Sequence, residues 1–429
     1  MTTPTRSLRH SRGRLTAVVA ACLLGLVPST AQAEAEAELE TTPWRLAASL
    51  NPEQSADLLA ADASSARDIW AVGAATDASW NVSPLVKHWD GTRWNEVPFG
   101  DTAGRPVRLY DVETHGPNDV WVVGSYIDEA PAAGLPDEIR ARTTNRLSEQ
   151  AAGVGTADPI ILRNWDGNSW TDVERPAPGV GWTRFALDLT SLGRNSVWLS
   201  TMDWNASTNQ YTGQLERWDG TSWRTEQLPA APGGGSLEPQ SVTGTGPDDV
   251  WVSVLSDKDG VFTPFLYHFD GHRWAVHSVP VPSTREAGWL LAGATTTRDG
   301  DLHIVVEANA DGEMPQRGAA RWDGRTWRQL PAPEYSIIND VTADESGTVW
   351  AAGWPVGEPH PVFTRWNGVS WIREDLPTEL TSVSWGSTVA DMSAVPGTRA
   401  LVAAGNAACE SALGNCGMTA WRGMRGPTA

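Results

Sequence analysis

Lysine is almost missing from this sequence. Lys87 and Lys258 are the only two in 429 residues, and Lys and Arg together reach 32 against 52 Asp and Glu, a formal charge of −20. A chain so short of positive charge lacks the basic footprint that phosphate contacts require, which excludes a nucleic-acid binder. It also excludes electrostatic docking on anionic lipid. Cysteine is scarce, with three, and phenylalanine (6) and tyrosine (5) are few. The 41 glycines and 29 prolines leave little room for long helices. No G-x-S-x-G elbow, H-E-x-x-H helix, P-loop or dinucleotide fingerprint occurs, so the common catalytic and nucleotide sites have no sequence support. Pro232-Gly233-Gly234-Gly235 has no helix after it to hold a phosphate and reads as a loop.

What is abundant is tryptophan, 24 residues. Before it can be placed, the N-terminus has to be set aside. Arg6, Arg9, Arg12 and Arg14 precede an apolar run from Leu15 to Val27, and Ala31-Gln32-Ala33 follows with small-x-small spacing. Residues 1–33 therefore read as a secretory signal, its apolar run too short to span a bilayer. Lipidation at Cys22 is the rival reading, weakened by the apolar residues that continue after it. No later run is long enough for a membrane span. The exported chain, residues 34–429, keeps Cys409 and Cys416, and an oxidising compartment makes a disulfide between them the expectation. No metal site and no cofactor are expected. Five of the eight histidines (His88, His268, His272, His277 and His303) fall in or beside strands, and His115 and His360 fall in separate loops.

The tryptophans are periodic. His88-Trp89-Asp90-Gly91-Thr92-Arg93-Trp94 returns at 164–170, 217–223, 268–274, 321–327 and 365–371, with Phe269 and Asn367 as substitutions. Ahead of each copy stands a relative of Asp68-Ile69-Trp70-Ala71-Val72-Gly73. Each unit reads as four short strands, with Asp-Gly marking the hairpin between the third and fourth. Four-stranded units repeating every 40–55 residues or so are propeller blades. The last unit has Trp421 but lacks its partner, and Thr42-Pro43-Trp44 supplies one at the other end. The predicted fold is all-β: a seven-bladed β-propeller of four-stranded blades, closed by an N-terminal strand. Residues 127–158 form an insertion in the second blade. Its middle, 135–152, has a helical pattern and reads either as a lid or as decoration.

Asp119-Val120-Trp121-Val122-Val123-Gly124 with Trp165-Asp166-Gly167-Asn168-Ser169-Trp170 resembles the repeats of secreted bacterial propellers. It is similar to the tectonin repeats of tachylectin-like lectins, and more loosely to the Asp-box repeats of sialidases. The resemblance spans nearly all of residues 42–423 and implies a propeller that binds glycan or lipopolysaccharide.

Eighteen tryptophans fit the repeat and are assigned to the frame. Six do not: Trp80, Trp182, Trp204, Trp289, Trp354 and Trp385. All six map to the face where inter-blade linkers and the loops between second and third strands gather, here called the linker face. Aromatic rings there suit stacking on a sugar ring. Asp128, Asp203, Asn205 and Arg285 complete the candidate binding set, with Asn81, Tyr126, Arg184, Glu286 and His360 nearby. Three functions follow. The first is a non-catalytic binding propeller for a glycan, an envelope polymer or a protein, expected to be monomeric. The second is a polysaccharide hydrolase or lyase using carboxylates such as Asp128, Glu129, Asp203 and Glu286. The third is an envelope scaffold.

Overall fold

The computed structural model describes residues 44–50, 55–127, 158–205, 207–208, 210–282, 289–308, 316–335, 337–354, 360–374, 388–408 and 415–423. These form seven four-stranded antiparallel sheets. The first strand, β1 (Arg45–Leu50), belongs to the last of them. Blade 1 is β2 (Ser55–Ser65), β3 (Asp68–Thr76), β4 (Val82–Trp89) and β5 (Trp94–Glu96). Blade 2 is β6 (Val107–Gly116), β7 (Asp119–Tyr126), β8 (Ile160–Trp165) and β9 (Trp170–Asp172). Blade 3 is β10 (Thr183–Ser191), β11 (Val197–Asn205), β12 (Gln210–Trp218) and β13 (Trp223–Thr225). Blade 4 is β14 (Ser236–Gly246), β15 (Asp249–Lys258), β16 (Val261–Phe269) and β17 (Trp274–Ser278). Blade 5 is β18 (Trp289–Thr296), β19 (Leu302–Ala308), β20 (Gln316–Trp322) and β21 (Trp327–Leu330). Blade 6 is β22 (Ile337–Ala343), β23 (Val349–Trp354), β24 (Val362–Trp366) and β25 (Trp371–Glu374). Blade 7 is β26 (Thr388–Ala394), β27 (Leu401–Ala408) and β28 (Asn415–Arg422), completed on its outer edge by β1.

The inner strands β2, β6, β10, β14, β18, β22 and β26 each touch the next, and β26 returns to β2, so the ring is closed. The closure is the one the unpaired Trp44 predicts. Arg45 pairs with Trp421 and Leu50 with Gly417. Trp44 is buried and stacks on Phe363 of blade 6 at 3.8 Å and 10°, edge-on to Trp350 at 6.3 Å. The terminus thus seals both an open strand edge and a junction between blades.

Each residue of the repeat motifs has a physical task. The hairpin Asp accepts from the backbone N–H groups two and three residues on: Asp166 from Asn168 and Ser169, both at 2.8 Å. Asn367 does the same with Val369 and Ser370, which is why an amide can replace the acid. The following glycine holds φ between +84° and +96° in all six WDG-type turns, a region that L side chains avoid. The glycine ending the second-strand motif serves a close approach. A Cβ on Gly73 would sit 1.8 Å from the Asp57 carbonyl oxygen, and Gly124, Gly353 and Gly405 are equally crowded.

The second-strand tryptophan reaches across to the next blade. Trp70 lies 6.1 Å from both Trp165 and Trp170, Trp121 lies 5.6 and 5.8 Å from Trp218 and Trp223, and Trp198 lies 6.0 Å from Trp274. In blade 1 the acid two residues before it caps the indole N–H, Asp68 Oδ1 accepting from Trp70 at 3.0 Å; Ser196 does so for Trp198 and Asp344 for Trp350, both also at 3.0 Å. The Asp68 carboxylate also meets His88 at 2.7 Å, the residue facing Trp70 across the ladder. The tryptophan excess therefore follows from one inter-blade contact repeated around the ring.

Every inner strand carries a bulge at the same place, between Leu58 and Ala60, Leu109 and Asp111, Ala186 and Asp188, and so on to Val389 and Asp391. The bulge re-aims the following side chain sideways. Asp391 accepts from Ala61 N at 3.0 Å, Asp111 from Leu189 N at 3.2 Å, Asp188 from Val242 N at 2.9 Å and Asp340 from Met392 N at 3.0 Å. A second layer uses Asp62 to Thr114 N (2.7 Å) and Glu113 to Ser191 N (3.0 Å). In β18 the acid's place is taken by Gly293, where a Cβ would stand 2.6 Å from Val341 of the next blade. There the blades close by packing instead.

Candidate functional site

The linker face is set by topology. Inner strands begin there, second strands end there, and the WDG hairpins occupy the opposite, hairpin face. Of the candidate residues, Trp385, Asp128 and Arg285 lie outside the described residues, as do Glu129, Glu286 and the whole helical pattern at 135–152. Cys409 lies outside them as well.

Among the described residues Trp80 is the most exposed large aromatic, at 75%. It sits in the loop between β3 and β4, at φ +65°, a conformation rare for a bulky residue. The loop is nonetheless fixed. Asp77 Oδ1 accepts from Ser79 N (2.8 Å) and Asn81 N (2.9 Å), Asp77 Oδ2 accepts from Asn81 Nδ2 (2.9 Å), and Trp80 N donates to the Asp77 carbonyl at 2.9 Å. These bonds, led by that of the Asn81 side chain, hold the Asp77 carboxyl below the usual range. A solvent-facing indole is thus presented on a rigid turn.

Blade 3 collects a second group. Trp182 stands just before β10, in a turn where its N–H donates to the Gly179 carbonyl at 3.0 Å. Trp204 pairs with Thr183 on one side and Tyr211 on the other, and packs half-buried against Phe185, Leu187 and Met202. Asn205 ends β11, its side-chain oxygen capping Ser207 N at 3.0 Å. Trp354 ends β23 on blade 6, half-buried, and His360 precedes β24. These residues share a face but not a blade. Trp182, Trp204 and Asn205 belong to blade 3, and Trp354 and His360 to blade 6.

Two candidates are placed differently from expectation. Trp289 is 4% exposed and packs with Leu302, Ile304 and Val306 in the core between blades 4 and 5. It stands three residues before its strand's bulge, a position buried equally as Ala56 in blade 1 and Val107 in blade 2. Trp289 is a frame residue. Arg184 holds the same place in blade 3, so a guanidinium occupies a core position. It is neutralised there. Asp203 takes a two-pronged ion pair from it (2.5 and 2.6 Å), and Glu216 and the Pro176 carbonyl take Nη1 at 2.5 and 2.8 Å. Arg175 joins Glu216 at 3.4 Å and also pairs with Asp158. Asp203 is therefore buried and committed, not a free carboxylate on the mouth. The sequence reading missed Glu216 and Arg175. The signal was an acid two residues before the end of a third strand, where the other repeats carry Lys87, Arg163, Tyr267, Ala320 and Thr364 but no acid. Burial pushes the Glu216 carboxyl up, the two guanidinium groups pull it down, and burial prevails.

The channel acids behave likewise. Burial raises Asp62 to about 7, against the Thr114 N–H bond, and raises Glu113 well above the usual range with the charges of Asp62 and Asp111 adding to it. His303 replaces the second-strand tryptophan in β19, and burial with Arg321 beside it lowers it to about 4. Among the described residues no three His, Cys, Asp or Glu side chains gather as a metal site, and no helix is long and apolar enough to cross a membrane.

No protein-family model matches the chain, and neither does any curated protein. Solved structures similar to the chain are found at low identity. A protein of unknown function from Dyadobacter fermentans DSM 18053 is 13% identical, with 71% of this chain and 91% of that chain covered, at a TM-score of 0.43. The SapL1 lectin, solved in complex with alpha methyl fucoside, is 17% identical, covering 76% and 98%, at 0.41. Hadza microbial sialidase Hz136 is 13% identical, covering 72% and 63%, at 0.39.

Proposed function

We propose that the protein is a secreted, non-catalytic glycan-binding propeller that recognises its ligand on the linker face. The observation that carries this reading is Trp80: a 75% exposed indole, in a costly backbone conformation, fixed by a fully bonded turn. Such an arrangement serves no packing purpose. Stacking on the apolar face of a sugar ring is the chemistry it suits. Trp182 and Trp204 on blade 3 offer a second platform on the same face. The tectonin-like repeat pattern and the secretory signal at residues 1–33 fit an extracellular lectin. A hydrolase would need a free carboxyl pair at the mouth. Asp203, the described candidate, is occupied by Arg184. A glycan-array screen of residues 34–429, with every retained glycan then incubated and analysed for cleavage, tests the reading. Retention without turnover is expected. Turnover of retained glycans would replace the lectin with an enzyme.

A further inference from the structure

The six WDG-type turns differ at one position. Five carry Asp-Gly, and blade 6 carries Asn367-Gly368, the one Asn-Gly pair in the sequence. Asparagine is a thermolabile residue, because a backbone nitrogen can attack its side-chain amide. The attacking nitrogen belongs to the following residue, whose side chain ordinarily obstructs the approach. Glycine has none. Every other asparagine here precedes a residue with a side chain.

The turn leaves that approach open. Asn367, Gly368, Val369 and Ser370 are all exposed. A Cβ on Gly91, Gly167, Gly220 or Gly271 would stand 2.1–2.7 Å from a neighbouring side chain. At Gly368 nothing lies within 4 Å of that point; Gly324 is equally open, but it follows an acid. The turn is closed by Asn367 N donating to the Ser370 carbonyl at 3.1 Å, and among the described residues the Gly368 N–H has no acceptor. Asn367 Oδ1 accepts from Val369 N at 2.9 Å and from Ser370 N at 2.8 Å. When a nitrogen adds to Cγ, negative charge develops on Oδ1, where these two N–H groups are already aimed. The hydrogen bonds that shape the turn therefore also stabilise the adduct.

We propose that Asn367 is a modification site at which the folded chain deamidates itself. The Gly368 nitrogen loses its proton to water and bonds to Asn367 Cγ. The Cγ–Nδ2 bond then breaks, Nδ2 takes up a proton and leaves as ammonia, and a five-membered succinimide remains. Water opens the ring. Attack at Cγ gives aspartate, the residue of the five sister turns. Attack at the main-chain carbonyl gives isoaspartate, which lengthens the backbone by one atom between Trp366 and Trp371, paired across the hairpin. Either product adds one negative charge to the hairpin face, opposite Trp80, and the site is independent of the function proposed above. The test incubates folded residues 34–429 in oxygen-18 water at several pH values and follows peptide masses over time. Asn168 is the internal control: it is exposed in the sister turn of blade 2 and precedes serine. Asn367 should turn acidic at least about tenfold faster than Asn168, the factor that about 1.4 kcal/mol of barrier carries. Each converted chain should hold one heavy oxygen at residue 367, and conversion should quicken as pH rises, since the attacking nitrogen has to shed its proton. An amide that persists at 367, or converts no faster than Asn168, overturns the proposal. Conversion indifferent to pH overturns it as well.

Discussion

Tryptophan stands in two kinds of surroundings in this molecule, buried between blades or exposed on a turn. Trp198 is fully buried, its indole N–H on Ser196 Oγ at 3.0 Å and Arg217 above its face at 4.8 Å. Trp198→Ala should cost about 3–5 kcal/mol, the range for deleting a buried aromatic. Trp80→Ala should change stability by less than about 1 kcal/mol, as for a surface residue. Chemical denaturation of both variants checks the contrast; equal losses would make Trp80 a packing residue. The frame tryptophans were legible because the motif repeats and each copy needs the same neighbour. Trp289 was not, because its fate depends on counting from a bulge, and the bulge leaves no periodic mark in the sequence. Asp203 was misread for a related reason: its partner Arg184 sits at a core position recognisable only once the strand register is known.

Asp62 gives a pH prediction at the same scale. Its folded pKa is about 7 against 3.8 for the free side chain, so the unfolded chain ionises first and binds fewer protons. The sign follows: this group costs stability increasingly as pH rises from about 4 to about 7, and the cost is constant above that. Asp62→Asn keeps a carbonyl acceptor for Thr114 N–H and never ionises. Its melting temperature should exceed the parent's by about 2–4 °C at pH 8 and match it at pH 4. A gain independent of pH would place the charge elsewhere.

At the scale of elements, β1 is the decisive one. Six blades are continuous in the chain, and the seventh needs residues 45–50 to finish its sheet. Removing residues 34–50 exposes the edge of β28 and strips Trp44 from Phe363 and Trp350. The truncated protein should melt many degrees lower and associate through the bare edge. A melting curve identical to the parent's would mean that the ring holds without the closing strand. This closure was readable in advance, since one hairpin tryptophan was missing at the C-terminus and one was spare at the N-terminus. The ring of channel acids was not. Asp111, Asp188, Asp340 and Asp391 look like solvent-facing strand residues in sequence, and only the bulge before each turns it toward the next blade's backbone.

The whole molecule is a ring whose junctions use nearly every repeated residue, so function must come from what departs from the repeat. Two departures stand out, on opposite faces: the capped turn bearing Trp80, and the Asn367-Gly368 hairpin of blade 6. The repeat is strong enough to define the fold from sequence and too uniform to name a ligand. The acidic composition argues against nucleic acid and anionic lipid as partners; the ligand itself is a matter for binding data. The central claim is that the linker face binds glycan through Trp80. Its most direct test is calorimetric titration of the best-retained array glycan into the parent and Trp80→Ala, with melting curves of both. The account predicts binding by the parent and at least about fivefold weaker binding by the variant, the factor for one lost aromatic contact, at unchanged melting temperature. Equal affinity in the two proteins would contradict it.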